Sequence, residues 1–101
     1  MRVMTPGKPA FLLQKGETGL SVFDPDAVSP PLTEAEILSS FRPGSLTVVR
    51  TVAEIQRVGV RITLTPGDPK LPLRLQLAHA EIVPGHNMAR NQFKAALKGL
   101  E

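Results

Sequence analysis

The chain has 101 residues, 42% hydrophobic and 21% charged, which argues against disorder and gives room for one domain around one core. Four Phe with no Tyr or Trp require an aliphatic core, and zero Cys exclude a disulfide framework and thiolate metal sites. A formal charge of +3 is a mild basic bias, and no stretch approaches the ~20 apolar residues of a membrane helix.

The start, Met1-Arg2-Val3-Met4, lacks the apolar segment of a signal peptide, so a cytoplasmic protein is the expectation. Thr5 to Pro9 cannot form a regular element, because two prolines remove donors and a glycine adds freedom. Ala10 to Gln14 and Leu20 to Phe23 read as strands. The glycine-bearing turn between them, Lys15 to Gly19, suggests a hairpin. Thr33-x-x-Glu36 has capping-box spacing and opens a helix over 34–41, stopped by Arg42-Pro43-Gly44. Leu46 to Arg50, rich in β-branched residues, reads as a strand. Thr51-x-x-Glu54 repeats the box, with a helix over 52–58 and Gly59 where a C-terminal cap belongs. Val60 to Thr65 alternate as a half-buried strand, and Pro66-Gly67-Asp68-Pro69 is a turn.

Arg74 to Val83 alternate over the longest strand-like run. Leu75, Leu77, His79, Glu81 and Val83 would share one face. Asn87 can cap a last helix over 88–100, buried through Ala89, Phe93, Ala96, Leu97 and Leu100. The expectation is one α+β domain over 1–101. It would have a small mixed, mainly antiparallel sheet, two short helices and a C-terminal amphipathic helix.

His79-Ala80-Glu81 is the informative place. Two apart on a strand, the imidazole and the carboxylate point the same way in an otherwise apolar row. Burying unpaired polar groups costs on the order of 1–3 kcal/mol each. A cleft would explain them: His79 would hold a ligand hydroxyl or phosphate, and Glu81 would stabilise developing positive charge. The alternative is a strand end that leaves the core, with both side chains solvated. The turn Gly16-Glu17-Thr18-Gly19, followed by Ser21, offers backbone donors and hydroxyls. His86 reads as a loop histidine, because nothing at ligand spacing makes a metal site with it. Arg90, Lys94 and Lys98 stack four apart and would suit a phosphate backbone or simply be a solvated flank.

Taken together, Gly19-Leu20-Ser21-Val22-Phe23-Asp24 and Arg74-Leu75-Gln76-x-x-His79-x-x-Ile82-x-Pro84, followed by Met88 and an amphipathic helix, carry a resemblance. The chain resembles the type VI secretion effector toxins with an ADP-ribosyltransferase-like fold. Those toxins have Ser-Val-Phe-Asp after a glycine turn and Arg-Leu-Gln-x-x-His-x-x-Ile-x-Pro before a Met-containing helix. The resemblance implies an intracellular bacterial toxin that uses NAD as substrate and is neutralised by a cognate antitoxin or immunity protein. By position, Ser21 would line the NAD cleft, His79 would contact the ligand, and Arg2 would be the first-strand arginine that grips NAD. Thr18 would add a contact from the glycine turn. Glu81 is assigned from strand geometry and not from the resemblance. A non-enzymatic protein-binding domain and a basic nucleic-acid-binding module are the alternatives.

Overall fold

The computed structural model describes residues 2–4 and 9–101. Met1 and most of the Pro-rich stretch expected to be irregular, Thr5 to Lys8, lie outside the described residues. The chain is a small α+β fold with two antiparallel sheets. Strand β1 (Arg2–Met4) pairs with β3 (Leu46–Val48). Strands β2 (Leu20–Phe23), β5 (His79–Val83) and β4 (Arg61–Leu64) form the second sheet in the order β2-β5-β4. The helices are α1 (Glu34–Leu38), α2 (Val52–Arg57), α3 (Leu73–Ala78) and α4 (Arg90–Lys98).

The second sheet separates two cores. Leu20, Val22, Ala80 and Ile82 meet Ile55 of α2 and Phe93 and Leu97 of α4. Phe23 packs instead with Leu32, Ile37 of α1, and Leu75 and Ala78 of α3. Caps fix both short N-terminal helices as their sequences indicate. Thr51 Oγ1 accepts the Glu54 N–H at 3.1 Å, and Glu54 Oε1 accepts the Thr51 N–H at 2.9 Å, a complete box. These bonds from Thr51 hold the Glu54 carboxyl below its ordinary range. Gly59 takes the expected left-handed φ of 88° just past α2. Thr33 caps α1 at 3.1 Å, but the Glu36 carboxylate turns away to Arg74, which leaves that box half made.

Three expectations are corrected. Residues 10–14 are not a strand and make no hairpin with β2, which pairs only with β5 in its sheet. Side chains satisfy this segment's backbone instead. Glu101 accepts from the Ala10 and Phe11 N–H groups at 3.1 and 2.5 Å, Arg2 Nε donates to Ala10 O at 3.1 Å, and Arg90 Nη2 donates to Gln14 O at 2.9 Å. Phe11 and Leu13 are thereby buried, with Arg50 lying 5.6 Å over the Phe11 ring.

The run over 74–83 is helix and then strand. Leu73 to Ala78 has no β-branched residue and every member is a good helix former, so propensity overrides the alternating pattern once Pro72 opens the turn. Leu75 and Ala78, three apart, are buried, whereas Leu77 is exposed. The face expected to join Leu75 and Leu77 to His79 therefore does not exist. Lastly, Ala89 rather than Asn87 is the N-cap of α4, with its N–H bonded to Gln92 Oε1 at 2.8 Å. Asn87 adopts φ of 59° in the preceding turn, a conformation Asn tolerates. Strand β2 has the expected bounds, and the other expected elements are shorter by one to four residues.

Candidate cleft between the two sheets

Register decides which side chains meet. The Asp24 N–H donates to Ala78 O at 2.8 Å, so residues 24, 22 and 20 form the hydrogen-bonded pairs with β5. Ser21 opposite Glu81 and Phe23 opposite His79 are then the non-hydrogen-bonded pairs, the type in which Cα atoms approach to about 4.5 Å. Their side chains share the face turned away from Leu20, Val22, Ala80 and Ile82. Ser21, His79 and Glu81 thus lie on one face of adjacent strands.

A cleft of about 220 Å³ opens between the sheets on this face. Its walls are Arg2 and Val3 of β1, Ser21 and Phe23 of β2, His79 of β5, and Phe41, Asp68 and Leu71 from loops. His79 is half-buried, with Nδ1 2.9 Å from Thr65 Oγ1 and 3.3 Å from Thr65 O. Phe23 stands edge-on to both the imidazole and Phe41, at centroid distances of 5.8 and 6.0 Å. Gly67 backs the ring. A Cβ there would come within 2.9 Å of Gln76 Cα and 3.1 Å of His79 Cβ. The imidazole is fixed through Nδ1, and Nε2 has no hydrogen-bond partner among the described residues.

Arg2 is partly committed to structure. Nη1 donates to Ser21 O at 2.7 Å and Nε to Ala10 O, so the guanidinium ties β1 to the outer edge of β2. Burial lowers its pKa and the nearby Glu17 charge raises it. Its side chain still forms one wall of the cleft. Glu81 lies on the same sheet face but outside the cleft, over Gly19, where a Cβ would fall 2.5 Å from Glu81 Oε2. Among the described residues its carboxylate has no ion pair or hydrogen bond. Thr18 is exposed in the turn before β2 and is not part of the cleft wall.

Sequence reasoning missed Asp68. Its Oδ1 accepts the Lys70 N–H at 2.9 Å, which braces the turn and leaves Oδ2 without a partner among the described residues. An acid flanked by Pro-Gly and Pro was the available signal, because such a turn holds its side chain in a fixed place.

The other residues of the resemblance are architectural. Arg74 grips Glu36 at 2.6 Å and donates through Nη2 to Pro30 O at 2.6 Å, joining α3 to α1 and the preceding loop. Gln76 Nε2 donates to Pro69 O and Leu71 O at 3.2 and 2.6 Å, which closes the loop that carries Asp68. Ile82 is core, and Pro84 O accepts from Arg61. The basic row is broken, since Arg90 binds the carbonyls of Gln14 and Glu17 and only Lys94 and Lys98 remain solvated. No group of three His, Asp or Glu able to hold a metal occurs among the described residues, and His86 is exposed. No helix of the described residues is long and apolar enough to cross a membrane. Comparison with family models, with curated proteins and with solved structures returned no match for this chain.

Proposed function

We propose that this chain is a toxin-type, ADP-ribosyltransferase-like domain that takes NAD into the cleft between its two sheets. One observation carries the reading: Arg2, Ser21 and His79, assigned to NAD from three distant segments of sequence, line the same cleft. At about 220 Å³ it falls below the ~300–1,000 Å³ of sites that enclose a whole small molecule. It suits the nicotinamide–ribose half, with the rest of the dinucleotide lying outside.

In the reaction, the bond between nicotinamide nitrogen and ribose carbon breaks, its electron pair leaves with nicotinamide, and the ribose carries positive charge until a nucleophile of the target attacks. Phe23 and Phe41 supply an apolar wall for a flat ring, and a cationic ring is attracted to aromatic faces. His79 and Ser21 hydrogen-bond the ribose. Of the two nearby carboxylates, Asp68 lines the cleft and Glu81 does not, so stabilising the ribose cation falls to Asp68. A cognate immunity protein would neutralise the domain by closing the cleft mouth.

Inducing the protein in a bacterial cytosol is expected to slow growth, and the purified chain to release nicotinamide from NAD. His79→Ala should relieve the growth defect and cut nicotinamide release at least about a hundredfold, a scale typical of losing one transition-state donor. A thermal melt of the same variant establishes that it is folded. A wild-type chain that folds, leaves growth unaltered and leaves NAD intact would favour instead a domain that works by binding another protein.

A further inference from the structure

The segment 9–13 and one flank of α4 enclose an apolar pit of about 490 Å³, more than twice the volume of the cleft between the sheets and sharing no residue with it. Its apolar wall is Pro9, Phe11, Leu12, Leu13 and Ala95. Phe11 and Leu13 are buried, whereas Leu12 between them is 42% exposed, so apolar surface here is left open to water. The volume lies within the ~300–1,000 Å³ of sites that take small molecules. Glu101 ties the Ala10 and Phe11 N–H groups and Arg90 ties Gln14 O, so both ends of the segment are held before any ligand arrives. Such preorganisation spares part of the ordering cost of binding.

Charge indicates what the pit takes. Three ionisable side chains border it, Lys94, Lys98 and Glu101. Both carboxylate oxygens of Glu101 are already spent on backbone N–H groups. Lys94 and Lys98, four apart and therefore neighbours on α4, are exposed and make no ion pair among the described residues. Two ammoniums against one carboxylate leave a single positive charge in excess, beside a wall that is otherwise apolar.

We propose that this pit binds a small amphipathic monoanion, a medium-chain aliphatic carboxylate. Its hydrocarbon chain covers Leu12 and the adjoining wall, and its carboxylate meets Lys94 and Lys98. A second copy of this chain is a poor occupant, because the same patch on each copy would set excess positive charge against excess positive charge. The proposal is independent of what the cleft binds.

The test is an amide NMR titration of the full chain with sodium hexanoate, sodium octanoate and neutral octanamide, all below micelle formation. Shifts with octanoate should concentrate at Phe11, Leu12, Leu13, Lys94, Ala95 and Lys98. Octanoate should bind at least about fivefold more tightly than hexanoate, since each buried methylene is worth about fourfold. Octanamide should bind at least about fivefold more weakly than octanoate, because it lacks the charge. The combined change Lys94→Gln, Lys98→Gln should abolish that preference and leave octanamide affinity unaltered. Both lysines are exposed, so the variant is expected to keep the wild-type melting temperature. The comparison of octanoate with octanamide on the unaltered protein stands even if it does not. Octanoate shifts that are absent at millimolar concentration or confined to other segments, or equal affinity for octanoate and octanamide, would overturn the proposal. So would a wild-type dimer in sedimentation that Leu12→Asp dissolves, because the pit would then serve a second copy. Binding to phosphatidylglycerol vesicles by a chain whose spectrum octanoate leaves unchanged would overturn it in favour of a lipid surface.

Discussion

Asp68 and Glu81 are close in chemistry and different in placement, which makes them a direct comparison at the scale of single residues. Asp68 forms part of the cleft wall, braced through one oxygen, whereas Glu81 lies over Gly19 on the same sheet face. Asp68→Asn keeps the shape and the bond to the Lys70 N–H while removing the charge. It is expected to lower nicotinamide release at least about tenfold with little change in melting temperature, and Glu81→Gln to lower it less. The opposite order would return the cation-stabilising role to Glu81. His79→Ala also has a structural side, because it orphans the Thr65 hydroxyl. Thr65 is only half-buried and water can replace the lost partner, so the cost should be about 1 kcal/mol.

Among the elements, α3 shows how a helix and a strand share one run of sequence. Arg74 projects from it to Glu36 on α1. The Arg74 hydrogen bond, more than its charge, holds the Glu36 carboxyl below its ordinary range, and the same bond raises the Arg74 pKa. A carboxyl depressed in the folded state adds stability above its unfolded pKa, and that stability is lost as pH falls through the folded value. Melting curves should therefore decline in acid below about pH 4.5, and Glu36→Gln should flatten that decline. Both partners are at the surface, so the effect should shrink in high salt. An acid slope identical in wild type and variant would show that the pair does not hold α3 to α1.

The caps of α1 and α2, the left-handed Gly59, the existence of β4 and the 79–83 half of the long run were legible in the sequence, because each depends on neighbours a few residues away. The exposure of Leu64, by contrast, departs from the half-buried alternation expected of β4. What was not legible depends on distant partners. The 10–14 segment looks like a strand until Glu101, Arg2 and Arg90 satisfy its backbone. Leu73 to Ala78 alternates like a strand, yet its burial follows helical spacing once α1 and Phe23 supply the surface it packs on. In the site, strand geometry put His79 and Glu81 on one face through a two-residue periodicity that holds only from His79 onward, whereas Ser21 was assigned to the cleft by the resemblance alone. Asp68 enters the cleft on a Pro-Gly-Asp-Pro turn closed by Gln76, and the turn's sequence shows that its side chain is held but not that the loop lies against β1 and β2.

For the whole molecule, the cleft lies between β1 and the face of β2 and β5 that carries Phe23, which packs in the second core. The basic row of α4 gives little support to a nucleic-acid module, because Arg90 is occupied by backbone carbonyls and only Lys94 and Lys98 of that row remain for phosphate contacts. The most direct test of the central claim is an amide NMR titration of the full chain with NAD. Shifts should concentrate at Arg2, Ser21, Phe23, Phe41, Asp68 and His79, and His79→Ala should weaken the fitted affinity at least about tenfold. An unchanged spectrum at millimolar NAD, or shifts confined to segments outside the cleft, would contradict an NAD site between the sheets.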